Sequence, residues 1–338
     1  MIRFADRTAF TAALSSLPEP AAAAIALART RQAELTKPAG SLGRLEDIAV
    51  FMAGWQDTPR PRIDRVQAVV FAGNHGVAAQ GVSAFPVEVT EQMVANFRAG
   101  GAAINALCRL SGTDLSVVPL DLDRPTGDIS AEAAMSETEC LAALDTGASA
   151  VSPDTHLLFV GEMGIGNTTP ASALCAAAFG GEEALWCDKG SGLDSEGVAR
   201  KVRAVEQALA RHLPDCGDAF ETLRRLGGRE IAAMAGAILA ARLMRIPVLL
   251  DGFIACASIA PLVVGVPELT AHCLAAHCSA ESGHVRLLGH FGLEPLLQLH
   301  MRLGEGSGAA AAVPIVRAAL AAHNEMATFA EAAVASGA

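Results

Sequence analysis

Three glycine-flanked segments of this 338-residue chain carry side chains able to do chemistry. The first is Gly164-Ile165-Gly166-Asn167-Thr168-Thr169-Pro170, set between an aliphatic run and an Ala-rich stretch. Thr169 is a natural N-cap and Pro170 a natural first helical residue. Glycines ahead of a helix start let backbone N–H groups close around an anion, and the helix dipole adds to the attraction. A tight strand-to-helix turn without a ligand has the same spacing, so spacing alone supports both readings equally. The segment lacks the Lys-Ser/Thr ending of a nucleoside triphosphate loop. Thr169 also stands where a dinucleotide fingerprint needs its third glycine.

The second segment is Leu303-Gly304-Glu305-Gly306-Ser307-Gly308, a lone carboxylate among glycines at an expected helix start. Glycines on both sides permit close approach of a flat ligand, and a partly shielded carboxylate can act as a general base with a raised pKa. Glu305 can equally sit there to favour the positive end of the following helix, and chemistry alone slightly prefers that role. The third segment is Asp188-Lys189-Gly190-Ser191-Gly192-Leu193-Asp194, with Lys201 in the helix beyond it. Ser191 and the glycines suit ribose or phosphate, with Lys201 or Lys189 as countercharge; a solvated lysine is the commoner fate. Asn74-His75-Gly76 reads as a structural turn, since no G-x-S-x-G nucleophile motif accompanies it. The pairs His272-Cys273 and His277-Cys278 fit no familiar metal spacing and read as helix-packed residues. The eight cysteines read as reduced small hydrophobes.

The elements that must position these loops follow a repeating grammar of aliphatic run, polar glycine-rich loop and Ala-rich helix, which is that of a parallel α/β sheet. Val66–Phe71, His156–Val160 and Pro247–Leu250 are expected strands, with further strands at Asp114–Leu120 and Ala184–Cys187 and a helix from about Ser195 to His212. The expectation is an open, Rossmann-like sheet of five or six parallel strands flanked by helices. Such sheets bind ligands outside the carboxyl ends of their strands, where all these loops emerge. Residues 7–35 and 308–335 both carry helical periodicity and are expected to pack as a small helical unit.

Composition bounds the partners. The formal net charge of −11 gives a long-range field that repels nucleic acid and anionic lipid. Tyr is absent and aromatics make up 4% of residues, too few for a base-stacking platform. The early charges of Met1-Ile2-Arg3-Phe4-Ala5-Asp6-Arg7 do not resemble a secretory signal, so a cytoplasmic location is expected. The longest apolar runs are too short to span a bilayer.

Six stretches together resemble the nicotinate-nucleotide:dimethylbenzimidazole phosphoribosyltransferases: Lys37–Glu46, Asn74–Val77, Gly81–Pro86, Gly161–Pro170, Leu249–Phe253 and Arg302–Gly308. They run in family order from residue 37 to about 316. The resemblance implies a large α/β domain over 37–308 carrying the active site, and a small helical domain built from 1–36 and 309–338. It also implies a homodimer that needs neither metal nor cofactor. The implied reaction, in cobalamin lower-ligand synthesis, moves the ribose phosphate of nicotinate mononucleotide onto dimethylbenzimidazole with inversion, giving α-ribazole phosphate and nicotinate. By resemblance Glu305 is the catalytic base, and Phe85, Met93, Met163 and Leu303 line the base pocket. Glu162, Gly164, Gly166, Asn167, Thr168, Gly190, Ser191, Lys201, Asp251 and Ser279 hold the nucleotide. Phe85, Met93, Lys189 and Arg229 depart from residues common in the family, which leaves the preferred base open between dimethylbenzimidazole, benzimidazole, adenine and a phenol. A non-catalytic nucleotide sensor is the alternative from another class.

Overall fold

A computed structural model describes residues 2–190 and 192–335. After α1 (Arg7–Leu14), α2 (Ala22–Glu34) and α3 (Arg44–Gln56), the chain enters β1 (Val66–Ala72), then α4 (Glu88–Ala99), α5 (Ala103–Ser111) and β2 (Thr113–Pro119). It continues through α6 (Glu137–Ala150), β3 (Leu157–Met163), α7 (Thr168–Phe179), α8 (Ser195–His212), α9 (Ala219–Leu226) and α10 (Arg229–Leu243). The last part holds β4 (Val248–Leu250), α11 (Phe253–Ser258), α12 (Ala260–Gly265), β5 (Cys273–Ala275), α13 (Ser282–Phe291) and α14 (Ser307–Glu325).

The five strands form one parallel sheet in the order β2-β1-β3-β4-β5. Their alternation feeds two cores. Val69, Phe71, Leu158, Val160, Val248 and Leu250 face a layer that includes α6, α7, α9 and α10. Val66, Ala68, Val70, Leu157, Phe159 and Leu249 face the layer of α3, α5 and α14. Both faces of β1 and β3 are therefore buried, which explains why these strands read as near-continuous aliphatic runs. The order reverses between β1 and β3, so the carboxyl ends of the central strands form the crevice where ligands bind in doubly wound sheets.

Two expectations are corrected. Ala184–Cys187 is not a strand: Glu183–Leu185 forms a single 3₁₀ turn, and Trp186 is tied to the end of α7 through Nε1 to the Gly180 carbonyl at 2.9 Å. A four-residue apolar run cannot be distinguished from such a turn by periodicity. The fifth strand is instead Cys273–Ala275, inside the segment read as helix-packed, and it pairs with β4 at Val248↔Cys273, Leu249↔Leu274 and Leu250↔Ala275. His272 is held by its backbone surroundings, with ring nitrogens 3.0 and 3.1 Å from the carbonyls of Leu269 and Ile238.

The chain ends meet where Arg31 donates to the carbonyls of His323, Asn324 and Met326, and where Leu35 bridges Thr328. The apolar side of α14 nevertheless lies on the sheet, with Ala309, Ala312, Val313 and Val316 in the second core. Phe10 of α1 packs edge-on against Phe220 on the opposite face.

Helix α10 is buried from Arg229 to Arg242, and its closest neighbour is α6. The two backbones touch through reciprocal glycines: a Cβ on Gly147 would lie 1.8 Å from the Ala233 carbonyl oxygen, and one on Gly236 would lie 2.0 Å from that of Leu144. Gly147→Ala is expected to destabilise the protein by about 1–3 kcal/mol, the usual range for overpacking. Gly289→Ala, in α13 with open space around it, should be neutral or stabilising by up to about 1 kcal/mol. Urea unfolding of the two variants checks this, and similar midpoints would show that the α6–α10 contact is not tight.

Candidate active site

Glu305 sits in the left-handed region at φ 64°, between Gly304 at 83° and Gly306 at 84°. Three successive left-handed residues suit glycine, and a side chain held there costs on the order of 1–3 kcal/mol unless its surroundings fix it. Asp251, just beyond β4, supplies the restraint. Its Oδ2 accepts from the Gly306 amide at 3.2 Å and its Oδ1 from the Ala309 amide at 2.8 Å. The missing side chain of Gly161 in β3 supplies the room, because a Cβ there would come within 2.3 Å of the Glu305 carbonyl group. Ser307 closes the turn, its amide and hydroxyl both donating to the Gly304 carbonyl, at 3.0 and 2.7 Å.

This geometry bears on the helix-start role open to Glu305. At the start of α14 the Gly306 and Ala309 amides donate to Asp251 and the Ser307 amide to the Gly304 carbonyl, so Glu305 does not cap these groups. Its carboxylate is buried, its Oε2 has no partner among the described residues, and Ile104 at the start of α5 is the backbone group that stabilises its charge. Burial outweighs that contact and Asp251 adds like charge, which together raise the Glu305 pKa to about 7.

A second carboxyl lies beside it. Glu162, near the end of β3, accepts from Asn167 Nδ2 through Oε2, while its Oε1 lies against Gly304. Complete burial, with Glu230, Asp251 and Glu305 as like-charged neighbours, raises its pKa to about 8. Asp251 is also raised by burial, with His277 opposing the shift from 3.6 Å.

These groups border a cavity of about 340 Å³ at the carboxyl ends of β3, β4 and β5. Of the residues expected from the sequence, Phe85, Met93, Glu162, Met163, Gly164, Asn167, Thr168, Gly190, Asp251, Ser279, Leu303 and Glu305 all line it. Gly166 and Lys201 line a small adjoining chamber that shares Gly164, Asn167, Thr168 and Gly190. Ser191 lies outside the described residues. Phe85 and Leu303 are about half exposed at the mouth, forming with Val89, Met93 and Met163 an apolar slot over the carboxyls. Of the larger clefts, those of about 490 and 600 Å³ open at the opposite ends of the strands around Arg62 and His156, and one of about 470 Å³ lies between α2 and α3 beside Gly40.

In the adjoining chamber Lys201 is buried and donates to the Asp188 carbonyl at 2.8 Å, and burial lowers its pKa. The expected cap of α7 is corrected: the helix begins at Thr168 with Asn167 at the N-cap position, so Thr169 falls inside the first turn with a buried hydroxyl. Part of the loop is already bonded internally, the Asn167 amide to the Gly164 carbonyl at 3.2 Å and the Thr169 amide to that of Gly166 at 3.0 Å. The chamber therefore offers an anion Lys201, the Thr168 hydroxyl and the positive end of α7 more than a ring of free amides.

The structure adds residues that the sequence did not single out. His277 and Glu281 line the cavity, and burial raises the Glu281 pKa. Glu230 is fully buried and meets His75 Nε2 at 2.6 Å, close behind Gly73 and Gly164. His75 is thus a buried turn residue paired with a carboxylate. Glu230 directly follows Arg229, itself tied to Glu139 at 2.8 Å. No local pattern marks these positions, because their role comes from what tertiary packing brings beside them.

A sequence model of the phosphoribosyltransferase family matches residues 17–334. A curated protein of Novosphingobium aromaticivorans, named nicotinate-nucleotide--dimethylbenzimidazole phosphoribosyltransferase, is 65% identical over 337 residues, covering 100% of both chains. One of the same name from Cereibacter sphaeroides is 53% identical over 334 residues, 99% of each chain. Among solved structures, CobT from Thermus thermophilus superposes with a TM-score of 0.87 at 39% identity, covering 93% of this chain and 100% of that one.

The raised carboxyls fix a pH dependence of stability. Because Glu162 and Glu305 are raised from 4.5 to about 8 and about 7, the folded protein holds protons that the unfolded chain releases. Their favourable contribution is full below pH 4.5 and is lost as pH rises through 7 to 8. The double variant Glu162→Gln, Glu305→Gln should melt higher than the parent at pH 8.5 and show a smaller decline in melting temperature between pH 5 and 8, the remainder coming from Asp251 and Glu281. Melting curves that run parallel across this range would show that neither carboxyl is perturbed.

Proposed function

The chain belongs to the nicotinate-nucleotide:dimethylbenzimidazole phosphoribosyltransferase family, and we propose that it transfers the ribose phosphate of nicotinate mononucleotide to dimethylbenzimidazole, giving α-ribazole phosphate and nicotinate. The observation that carries the mechanism is Glu305, a buried carboxylate with a free oxygen, presented on a rigid turn beneath an apolar slot.

The chemistry asks little of the leaving group. The bond between ribose C1′ and the pyridinium nitrogen breaks with its electron pair going to nitrogen, and nicotinate departs with a neutral ring nitrogen, so no general acid is needed. The difficulty lies in the nucleophile. One benzimidazole nitrogen attacks C1′ from the opposite face while the other gives its proton to Glu305. A base of this kind contributes about 100–10,000-fold in rate. Its pKa of about 7 suits the task, since the carboxylate is substantially ionised at neutral pH yet basic enough to take the proton.

In this reading Phe85, Met93, Met163 and Leu303 hold the dimethylated ring, whose only polar demand is the N–H facing Glu305. Lys201, Thr168 and the start of α7 hold the phosphate, with Gly164, Gly166 and Gly190 leaving room for it. Glu162, Asn167 and Ser279 face the ribose. Asp251 acts through the turn that carries Glu305, a positioning role that its two amide bonds support. The reading extends to a homodimer, on the strength of the family resemblance, and to a cytoplasmic location.

Incubating the protein with both substrates should yield α-ribazole phosphate and nicotinate, followed by chromatography. Glu305→Gln should still bind the nucleotide but turn over at least about 100-fold more slowly. The parent's kcat/KM should rise with pH through about 7 as Glu305 ionises, and the variant should lack that limb. Nucleotide binding without turnover by the parent would instead mark a sensor.

A further inference from the structure

We propose that Arg302 reads the carboxylate of the nicotinate ring and so distinguishes nicotinate mononucleotide from its uncharged-ring-substituent relative, nicotinamide mononucleotide. The inference rests on the transferase reading and deepens it. Nicotinate mononucleotide carries two anionic groups at opposite ends, a phosphate and a ring carboxylate. The cavity must hold both although Glu162, Asp251, Glu281 and Glu305 all border it.

Among the described residues lining the main cavity, Arg302 is the one arginine or lysine. Lys189 and Lys201 border the adjoining chamber, where α7 begins. Lys201, the Thr168 hydroxyl and the helix dipole thus match the phosphate and leave the second anion to Arg302, the arginine of the main cavity. Arg302 is exposed, stands three residues before Glu305, and makes one hydrogen bond within the described residues, a long one of 3.4 Å to the Gly190 carbonyl. That neutral, distant acceptor leaves the guanidinium without a hydrogen-bonded ion-pair partner among the described residues, although Glu281 feels its charge within the cavity. A planar carboxylate accepts two parallel N–H bonds from a guanidinium, a fit that neither an amide nor a lysine reproduces. Arg302 is thereby a specificity-determining residue, separate from the proton transfer at Glu305.

The test measures kcat/KM for both nucleotides, with dimethylbenzimidazole as acceptor, for the parent, Arg302→Gln and Arg302→Lys. Calorimetric binding of each nucleotide is measured alongside, so that a poor substrate still gives a reading. Arg302→Gln should lose about 10- to 100-fold on nicotinate mononucleotide, in KM and Kd rather than kcat, and little on nicotinamide mononucleotide, so that discrimination collapses. Arg302→Lys should recover part of the loss by charge alone. An equal loss on both nucleotides would assign Arg302 to the shared phosphate and overturn the proposal, as would no loss on either. Unchanged melting temperatures for the variants exclude misfolding as the cause. If the parent forms no product from nicotinate mononucleotide, the transferase reading fails, while the binding comparison still decides what Arg302 recognises.

Discussion

Asp251 joins the end of β4 to the start of α14, and the site's geometry follows from that junction. A helix start leaves several amides without partners, usually met by the side chain of the N-cap residue. In α14 that residue is Gly306, which has none. A carboxylate from the sheet takes its place, so the turn before the helix is fixed to the strand ends rather than to its own local sequence. Gly161 completes the arrangement by letting the backbone of Glu305 rest against β3. Glu305 is thereby referenced to two adjacent strands of the most buried part of the sheet, and its left-handed conformation is imposed from outside.

The same crowding sets the electrostatics. Glu162, Asp251, Glu281 and Glu305 share one cavity, and each has its pKa raised, in every case chiefly by burial. Glu162 at about 8 is mostly protonated at neutral pH, which lowers the negative charge an entering nucleotide meets. The chain's net charge of −11 offers no long-range attraction to such a ligand. In the proposed reading, capture therefore rests on the helix start at Thr168 and the cations Lys201 and Arg302, all acting at contact distance.

Much of the frame was legible in the sequence. β1 and β3 are buried on both faces and so carry long aliphatic runs, and the helix over Ser195–His212 appears where its periodicity places it. Short elements were not legible. Cys273–Ala275 is a strand because β4 offers it hydrogen bonds, and its three residues carry no period of their own; Ala184–Cys187 has the apolar run but no partner strand. In the site, glycine spacing located the turn around Glu305 but not what holds it, which is Asp251, 54 positions away in sequence and bonded to the turn. His277, Glu281 and Glu230 carry no local signal, because burial beside other charged groups arises only on folding.

The features that raise the pKa of Glu305 are the ones that oppose folding. A general base working near neutral pH needs a pKa well above that of a solvated carboxyl, and removal from water is what raises it here. Removal from water requires backbone to close over the group, which Gly161, Gly304 and Gly306 allow by having no side chains to intervene. The closure then forces a non-glycine residue into a left-handed conformation. Such strain persists only where the surrounding structure over-determines it. The densely packed layers of α6, α7 and α10 on one face, and of α3, α5 and α14 on the other, provide that rigidity around β3 and β4. The extensive core thus sustains the raised pKa of Glu305 as well as the fold, since a looser sheet would let the turn relax, admit water and return Glu305 to an ordinary, weakly basic carboxylate.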